Sequence, residues 1–211
     1  MSETAMSWDD EPTRHTADAP GWFGKMPGLG DFASRRLPEA FVSRWDGLLQ
    51  SGLLHAQRSG DGWLEAYLVA PIWRFWLARG TVDENAWGGL LMPSIDRVGR
   101  HYPLTLAQPL DSLACALAAV DWYRALDSAA RQVLDLSFTV EDFEQVLQTI
   151  TPPRVHGNAA SELADRLSRP YAEAQAFSVW WCGDAADATN FLCVPALPTA
   201  QGLAAMWAPT S

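Results

Sequence analysis

Lysine is almost missing from this chain. Of its fifteen basic residues only Lys25 is a lysine, and the other fourteen are arginines. Base is also short against acid, and 25 acidic residues leave a formal net charge of −10. An acidic surface repels phosphate backbones, which argues against nucleic acid as a partner. Cysteine is scarce and widely spaced. Cys115, Cys182 and Cys193 are odd in number and form no CxxC pair, so the sequence predicts free thiols in a reducing compartment. Cys182 and Cys193 would meet only across paired strands, and no disulfide is expected. His15, His55, His101 and His156 show no HxH or HExxH spacing, so no metal or other cofactor is expected. There is no G-x-S-x-G elbow and no cysteine in a recognisable reactive setting, so no catalytic residue is assigned and the chain reads as a non-enzyme. No apolar run approaches the roughly 18 residues of a membrane span, and the polar N-terminus lacks a signal-peptide core. These shortages together predict a soluble, cytoplasmic protein without membrane insertion.

What is present is enough for a core. The chain has 211 residues, 48% of them hydrophobic, and folds of this size need neither disulfides nor metals. One domain over residues 20–211 is expected, after an acidic, disordered tail at residues 1–19 that lacks apolar periodicity. The charge is uneven. Residues 1–20 sum to −4, residues 21–110 to +1, and residues 111–211 to −7. The middle segment is therefore the part best able to meet an acidic partner. Tryptophan is abundant, at eleven residues. Tryptophan fills cores and anchors interfaces, and core packing is the first reading. Trp73, Trp76, Trp180 and Trp181 form a candidate exposed set. Alternation along a strand puts at least one of Trp180 and Trp181 inside.

The pattern along the chain mixes strands and helices. Gly21–Met26 reads as a strand closed by the breaker run Pro27-Gly28-Leu29-Gly30. A helix follows from Pro38, with Phe41, Trp45, Leu48, Leu49 and Leu53 at helical spacing. Residues 63–78 are ambiguous between helix and strand. Trp87–Met92 and Leu104–Gln108 read as strands. A helical stretch starts near Asp111, and Asp121 is placed as the cap of its second part. Trp122, Leu126, Ala129, Val133 and Leu136 line its apolar face. Thr139 caps the next helix, whose stripe is Phe143, Val146, Leu147 and Ile150. Ala160–Leu167 is a further helix. Phe177–Cys182 and Asn190–Val194 are paired strands across a loop at Gly183–Thr189, and Thr199–Trp207 is a short helix. This order predicts an α/β, single-domain layered sandwich: a central mixed, largely antiparallel sheet with helices on both faces.

Two polar segments invite chemistry. Residues 28–33 match G-x-G-x-x-A after a strand, but a dinucleotide site needs a helix to start inside the motif. The convincing helix starts only at Pro38, so a tight turn is the simpler reading. Ser94-Ile95-Asp96-Arg97-Val98-Gly99-Arg100 lies between two strands. It reads either as a turn tied by Asp96–Arg pairing or as a binding loop bearing two guanidinium groups. A small-anion site, in a binding protein or an enzyme, would join residues 28–31 to Asp96, Arg97 and Arg100.

Two stretches carry a resemblance. One is Gly21-Trp22-Phe23-Gly24-Lys25-Met26-Pro27-Gly28-Leu29-Gly30-Asp31-Phe32, followed by Arg35-Arg36-Leu37-Pro38. The other is Gly89-Leu90-Leu91-Met92-Pro93-Ser94-Ile95-Asp96-Arg97-Val98-Gly99-Arg100-His101-Tyr102-Pro103-Leu104. With Pro71–Trp76 between them, they resemble the TagF (ImpM) family, accessory proteins encoded with bacterial type VI secretion systems. The resemblance is specific over residues 21–110 and extends to the C-terminus by length and Trp-rich strands. It implies an α/β sandwich and post-translational repression of secretion through protein–protein interaction. The implied partner is an Fha-type, forkhead-associated scaffold, with a separate PP2C-type phosphatase in the same circuit. It carries over no catalytic residue. Among the matched positions, Gly24, Pro27, Gly30, Phe32, Pro93 and Gly99 read as structural motif residues. Asp31, Ser94, Asp96, Arg97 and Arg100 are the candidate protein-binding surface.

Overall fold

The computed structural model describes residues 19–29, 32–153, 160–174, 176–185 and 191–208. The expected tail falls outside these residues up to position 18, and Ala19 and Pro20 are already buried. The strands are β1 (Gly21–Gly24), β2 (Ala33–Arg35), β3 (Trp73–Leu77), β4 (Trp87–Met92), β5 (Leu104–Pro109), β6 (Phe177–Cys182) and β7 (Leu192–Pro195). They form one sheet in the order β2-β1-β5-β4-β3-β6-β7. Every described ladder is antiparallel, so no parallel pair makes the sheet mixed. A meander of β3, β4 and β5 forms the centre. An N-terminal hairpin extends one edge and a C-terminal hairpin the other.

Among the described residues seven α-helices cover the two faces: α1 (Glu39–Arg58), α2 (Trp63–Val69), α3 (Leu113–Ala118), α4 (Val120–Gln132), α5 (Val140–Thr149), α6 (Ser161–Ser168) and α7 (Ala200–Ala205). Strand side chains alternate between two cores, as the two-residue period requires. Trp22, Trp76, Leu90, Leu106 and Trp181 join Trp122, Leu126, Phe143 and Leu147 of α4 and α5. Phe75, Leu91 and Trp180 join Phe41, Trp45, Leu49 and Leu53 of α1 and Leu203 of α7. Trp180 and Trp181 are thus both core, one on each face, and Trp76 is buried too. Trp73 is half-buried and donates its indole N–H to the Met206 carbonyl at 2.9 Å. The proposed exposed tryptophan set does not exist as a surface.

The α1 core is dense with rings. Trp45 stacks on Trp180 at 5.7 Å and donates its indole N–H to the Thr105 hydroxyl at 2.8 Å. A buried ring of this size is worth about 3–5 kcal/mol against alanine. Among the described residues side-chain caps mark three helix starts, at Ser112, Thr139 and Thr199. Thr139 accepts from the Asp142 N–H while Asp142 accepts from the Thr139 N–H, a reciprocal cap. Asp121 does not cap. A break at Ala119 (φ −82°, ψ 46°) separates α3 from α4, so Asp121 falls inside the first turn of α4. The side-chain cap nearby is Ser112, which accepts from the Cys115 N–H. Leu136 lies beyond α4 and is 76% exposed, so the apolar stripe stops at Val133. Cys193 lies opposite Val179 and packs into the α4 and α5 core. Cys182 follows the other parity of β6, so the two thiols belong to opposite faces of the sheet.

Candidate functional site

The β4–β5 hairpin does not end where its strands do. Ile95 bridges His101 beyond Met92 and Leu104, and the chain turns at Asp96–Arg100. The Asp96 N–H donates to the Arg100 carbonyl at 2.9 Å, and the Gly99 N–H donates to the Asp96 carbonyl at 3.0 Å. Gly99 turns with φ 81°, a left-handed value that glycine adopts without strain.

Asp96 is the centre of this turn. One carboxylate oxygen accepts from the N–H groups of Val98 (3.0 Å) and Arg100 (2.8 Å). The other accepts from Lys25 Nζ (3.0 Å) and Arg100 Nε (2.6 Å). The Asp96 side chain is 0% exposed, that of Lys25 5%, and that of Arg100 56%. Desolvation pushes the carboxyl up, but the bonds from Arg100, Lys25 and Val98 outweigh it and hold it well below the usual carboxylate range. Lys25 reaches this position because β1 ends against the start of β5. At Gly24 (φ 137°) a Cβ would stand 2.1 Å from the Pro103 carbonyl oxygen, so only glycine lets the two backbones approach.

A second set of contacts holds the base of the hairpin. Ser94 donates its hydroxyl to the Lys25 carbonyl at 2.9 Å. Its N–H donates to the Tyr67 hydroxyl at 3.0 Å, and its carbonyl accepts from the Tyr102 N–H at 3.0 Å. The Tyr102 hydroxyl donates to the Asp46 carboxylate of α1. His101 packs against Trp63 at 5.4 Å. Burial pushes the His101 imidazole down, Lys25 pushes it further, and Asp96 opposes. Phe32 lies edge-on to Tyr102 at 4.6 Å and carries the Lys25 ammonium 4.7 Å over its ring.

The expected surface is therefore split. Ser94 and Asp96 are buried, at 2% and 1% exposure, and act on the backbone of the loop. Arg97, Val98, Gly99 and Arg100 are exposed, and Phe32, expected as a structural residue, is 47% exposed beside them. Pro93 is half-buried at the exit of β4, and Pro27 is buried after β1. Gly30 and Asp31 lie outside the described residues. Of the donors that a small anion would need, Lys25 Nζ, Arg100 Nε and the Val98 and Arg100 N–H groups already bond the Asp96 carboxylate, whereas the exposed Arg97 side chain does not. The glycine motif lacks its helix as well, since the next strand is antiparallel β2 and α1 starts only at Glu39. Among the described residues no group of three or more metal-ligating side chains occurs.

No motif in the sequence gives Lys25, Tyr67, Asp46 or Tyr102 a role at this site. For Lys25 a signal exists. A compact ammonium in a site this closed is a role that a branched guanidinium fits poorly, and Lys25 is the one lysine of an arginine-rich chain.

The TagF N-terminal domain, a type VI secretion system-associated family, matches residues 21–150. The chain belongs to this family. The matched part runs from β1 to the end of α5 and contains the whole Lys25–Asp96 site. The crystal structure of PA0076 from Pseudomonas aeruginosa PAO1 is similar over the greater length. It is 34% identical, with a TM-score of 0.74 over 90% of this chain and 94% of that one. No curated protein matches. The likeness to PA0076 extends the shared fold of this TagF-family chain beyond residue 150, where β6 and α7 complete the α1 core. Among the described residues no helix is long and apolar enough to cross a membrane.

Proposed function

We propose that this chain is a negative regulator of a type VI secretion system that works by sequestering an Fha-type scaffold in the cytoplasm, with no catalysis of its own. The observation that carries the reading is the exposed Arg97-Val98-Gly99-Arg100 turn held on a buried Asp96–Lys25 pair. Lys25, Arg97 and Arg100 against Asp96 leave this site locally positive, on a protein of net charge −10. A rigid, cationic, partly apolar tip loses little entropy on docking and selects an acidic partner surface. Binding that favours the unassembled scaffold withdraws it from the machine by its differential affinity. A separate PP2C-type phosphatase would act on the same partner and set its charge.

Calorimetric titration with the forkhead-associated protein of the same secretion cluster, unphosphorylated and phosphorylated, tests this. Micromolar or tighter binding is expected. Arg97→Ala combined with Val98→Ser leaves the Asp96 cage intact and is expected to weaken binding roughly tenfold to a hundredfold. Unchanged affinity in that folded variant would remove the turn from the interface, and no binding to either form would remove the proposed partner.

A further inference from the structure

The exposed apolar side chains are unevenly placed. Among the described residues seven large ones are exposed, and four of these lie on or beside two turns: Phe32 and Val98 at the Asp96 turn, Leu134 and Leu136 between α4 and α5. The two turns flank one loop. On one side the Arg97 N–H donates to the Leu29 carbonyl at 3.4 Å. On the other, a Cβ at Gly28 would stand 3.0 Å from the Phe138 carbonyl oxygen. Leu29 and Phe138 are half-buried and pack on the same core. We infer that the α4–α5 turn is the second half of the docking surface begun by the Arg97–Arg100 tip, and that an apolar patch beside the acidic face of the same partner covers it. This extension rests on the scaffold reading.

The α4–α5 turn is held from both ends. Val133 is buried before the two leucines, and Phe138 after them lies edge-on to Phe143 at 6.5 Å. Between them Asp135 accepts from the Ser137 N–H at 2.9 Å and the Ser137 hydroxyl at 2.7 Å. A turn tied in this way presents Leu134 and Leu136, 51% and 76% exposed, with little entropy to lose on docking. Taking them out of water is favourable in proportion to their area. A specific interface covers roughly 800 Å² on each partner, enough to span both turns and the loop between them. Asp135 carries the sign of an acidic partner, so the contact at this end is apolar. Arg97 meets the acidic part at the other end.

The test is calorimetric titration of the full chain with the same forkhead-associated protein, at several temperatures and salt concentrations. Leu134→Ser combined with Leu136→Ser is expected to weaken binding roughly tenfold. The heat-capacity change of binding should become less negative, while the salt dependence stays as in the wild type. Arg97→Ala should do the opposite and flatten the salt dependence. Leu136→Ser alone serves if the double variant does not fold. Unchanged affinity and heat capacity in a folded leucine variant would overturn this inference and leave the scaffold reading standing, whereas no binding by the wild type would remove both. Sedimentation of the unbound chain covers the other occupant. Self-association that the leucine changes abolish, with scaffold affinity intact, would assign the turn to a second copy and overturn the inference.

Discussion

Asp96 and Asp184 each sit between a buried cation and an exposed one. Asp96 has Lys25 inside and Arg100 outside. Asp184 has Arg74 inside at 2.8 Å and Arg124 outside at 2.5 Å. The difference lies in the remaining donors and in water. The Asp96 side chain is 0% exposed and also takes two backbone N–H groups from its own turn. Asp184 is 15% exposed, and its described donors are side chains from β3 and α4. The same ion-pair chemistry thus shapes a loop in one place and clamps separate elements in the other. A carboxylate cage that fixes backbone amides presents a surface, whereas one that joins side chains only holds the fold together.

Removing the inner cation separates the two most strongly. Lys25→Met leaves a fully desolvated carboxylate with only its outer partner and the turn amides. A broken buried pair is costly, and thermal unfolding is expected to fall by roughly 10 °C. Arg74→Met should cost about half as much, since Asp184 can take up water in place of the lost guanidinium. Equal losses in thermal melts followed by circular dichroism would break the distinction.

Acid should act next. Asp96 is desolvated, yet the bonds from Arg100, Lys25 and Val98 depress it. Asp184 is depressed by the hydrogen bond from Arg74 first and then by Arg124, against desolvation. A carboxyl depressed in the native state binds fewer protons there than in the unfolded chain. Its contribution is therefore present above the unfolded value of about 3.9 and is lost as pH falls through the native one. Stability measured by urea unfolding should hold above about pH 5 and drop steeply below about pH 4. Asp96→Asn should flatten that drop more than Asp184→Asn, because Asp96 gathers the larger set of donors. The reverse order would assign the acid sensitivity to the β3–α4 clamp.

The two cages also mark what a linear reading sees. The Asp96 turn was legible as polar residues with glycine between two strands, and the outer pairing with Arg100 follows from a separation of four residues. Lys25 lies 71 residues away, and only the close pass of β1 against β5 brings it in. For the same reason Ser94 and Asp96 read as surface from their chemistry yet prove buried. Strands bounded by breakers, such as Trp87–Met92 and Phe177–Cys182, match to the residue because a short apolar run has one extended use. β2 left no signal. Three half-buried or exposed residues at a sheet edge need no apolar alternation. Pairing order was not legible either, because antiparallel neighbours are chosen by tertiary packing.

The outer cations give the smallest effect and the sharpest comparison. Arg100→Gln and Arg124→Gln each remove a guanidinium that is more than half exposed. Exposed ion pairs are worth at most about 1 kcal/mol, so neither change should move global stability far. Local opening should separate them. Arg100 Nε and the Val98 and Arg100 N–H groups bind one carboxylate, so loss of the side chain loosens a frame that the amides share. Hydrogen exchange at Val98 and Arg100 should speed up by roughly threefold to tenfold in Arg100→Gln, and stay unchanged in Arg124→Gln. Unchanged exchange in both would mean that Lys25 and the two turn amides hold Asp96 in place without the Arg100 side chain. Any loss of scaffold affinity in Arg100→Gln would then report direct contact with the partner, because the presented backbone would be the same.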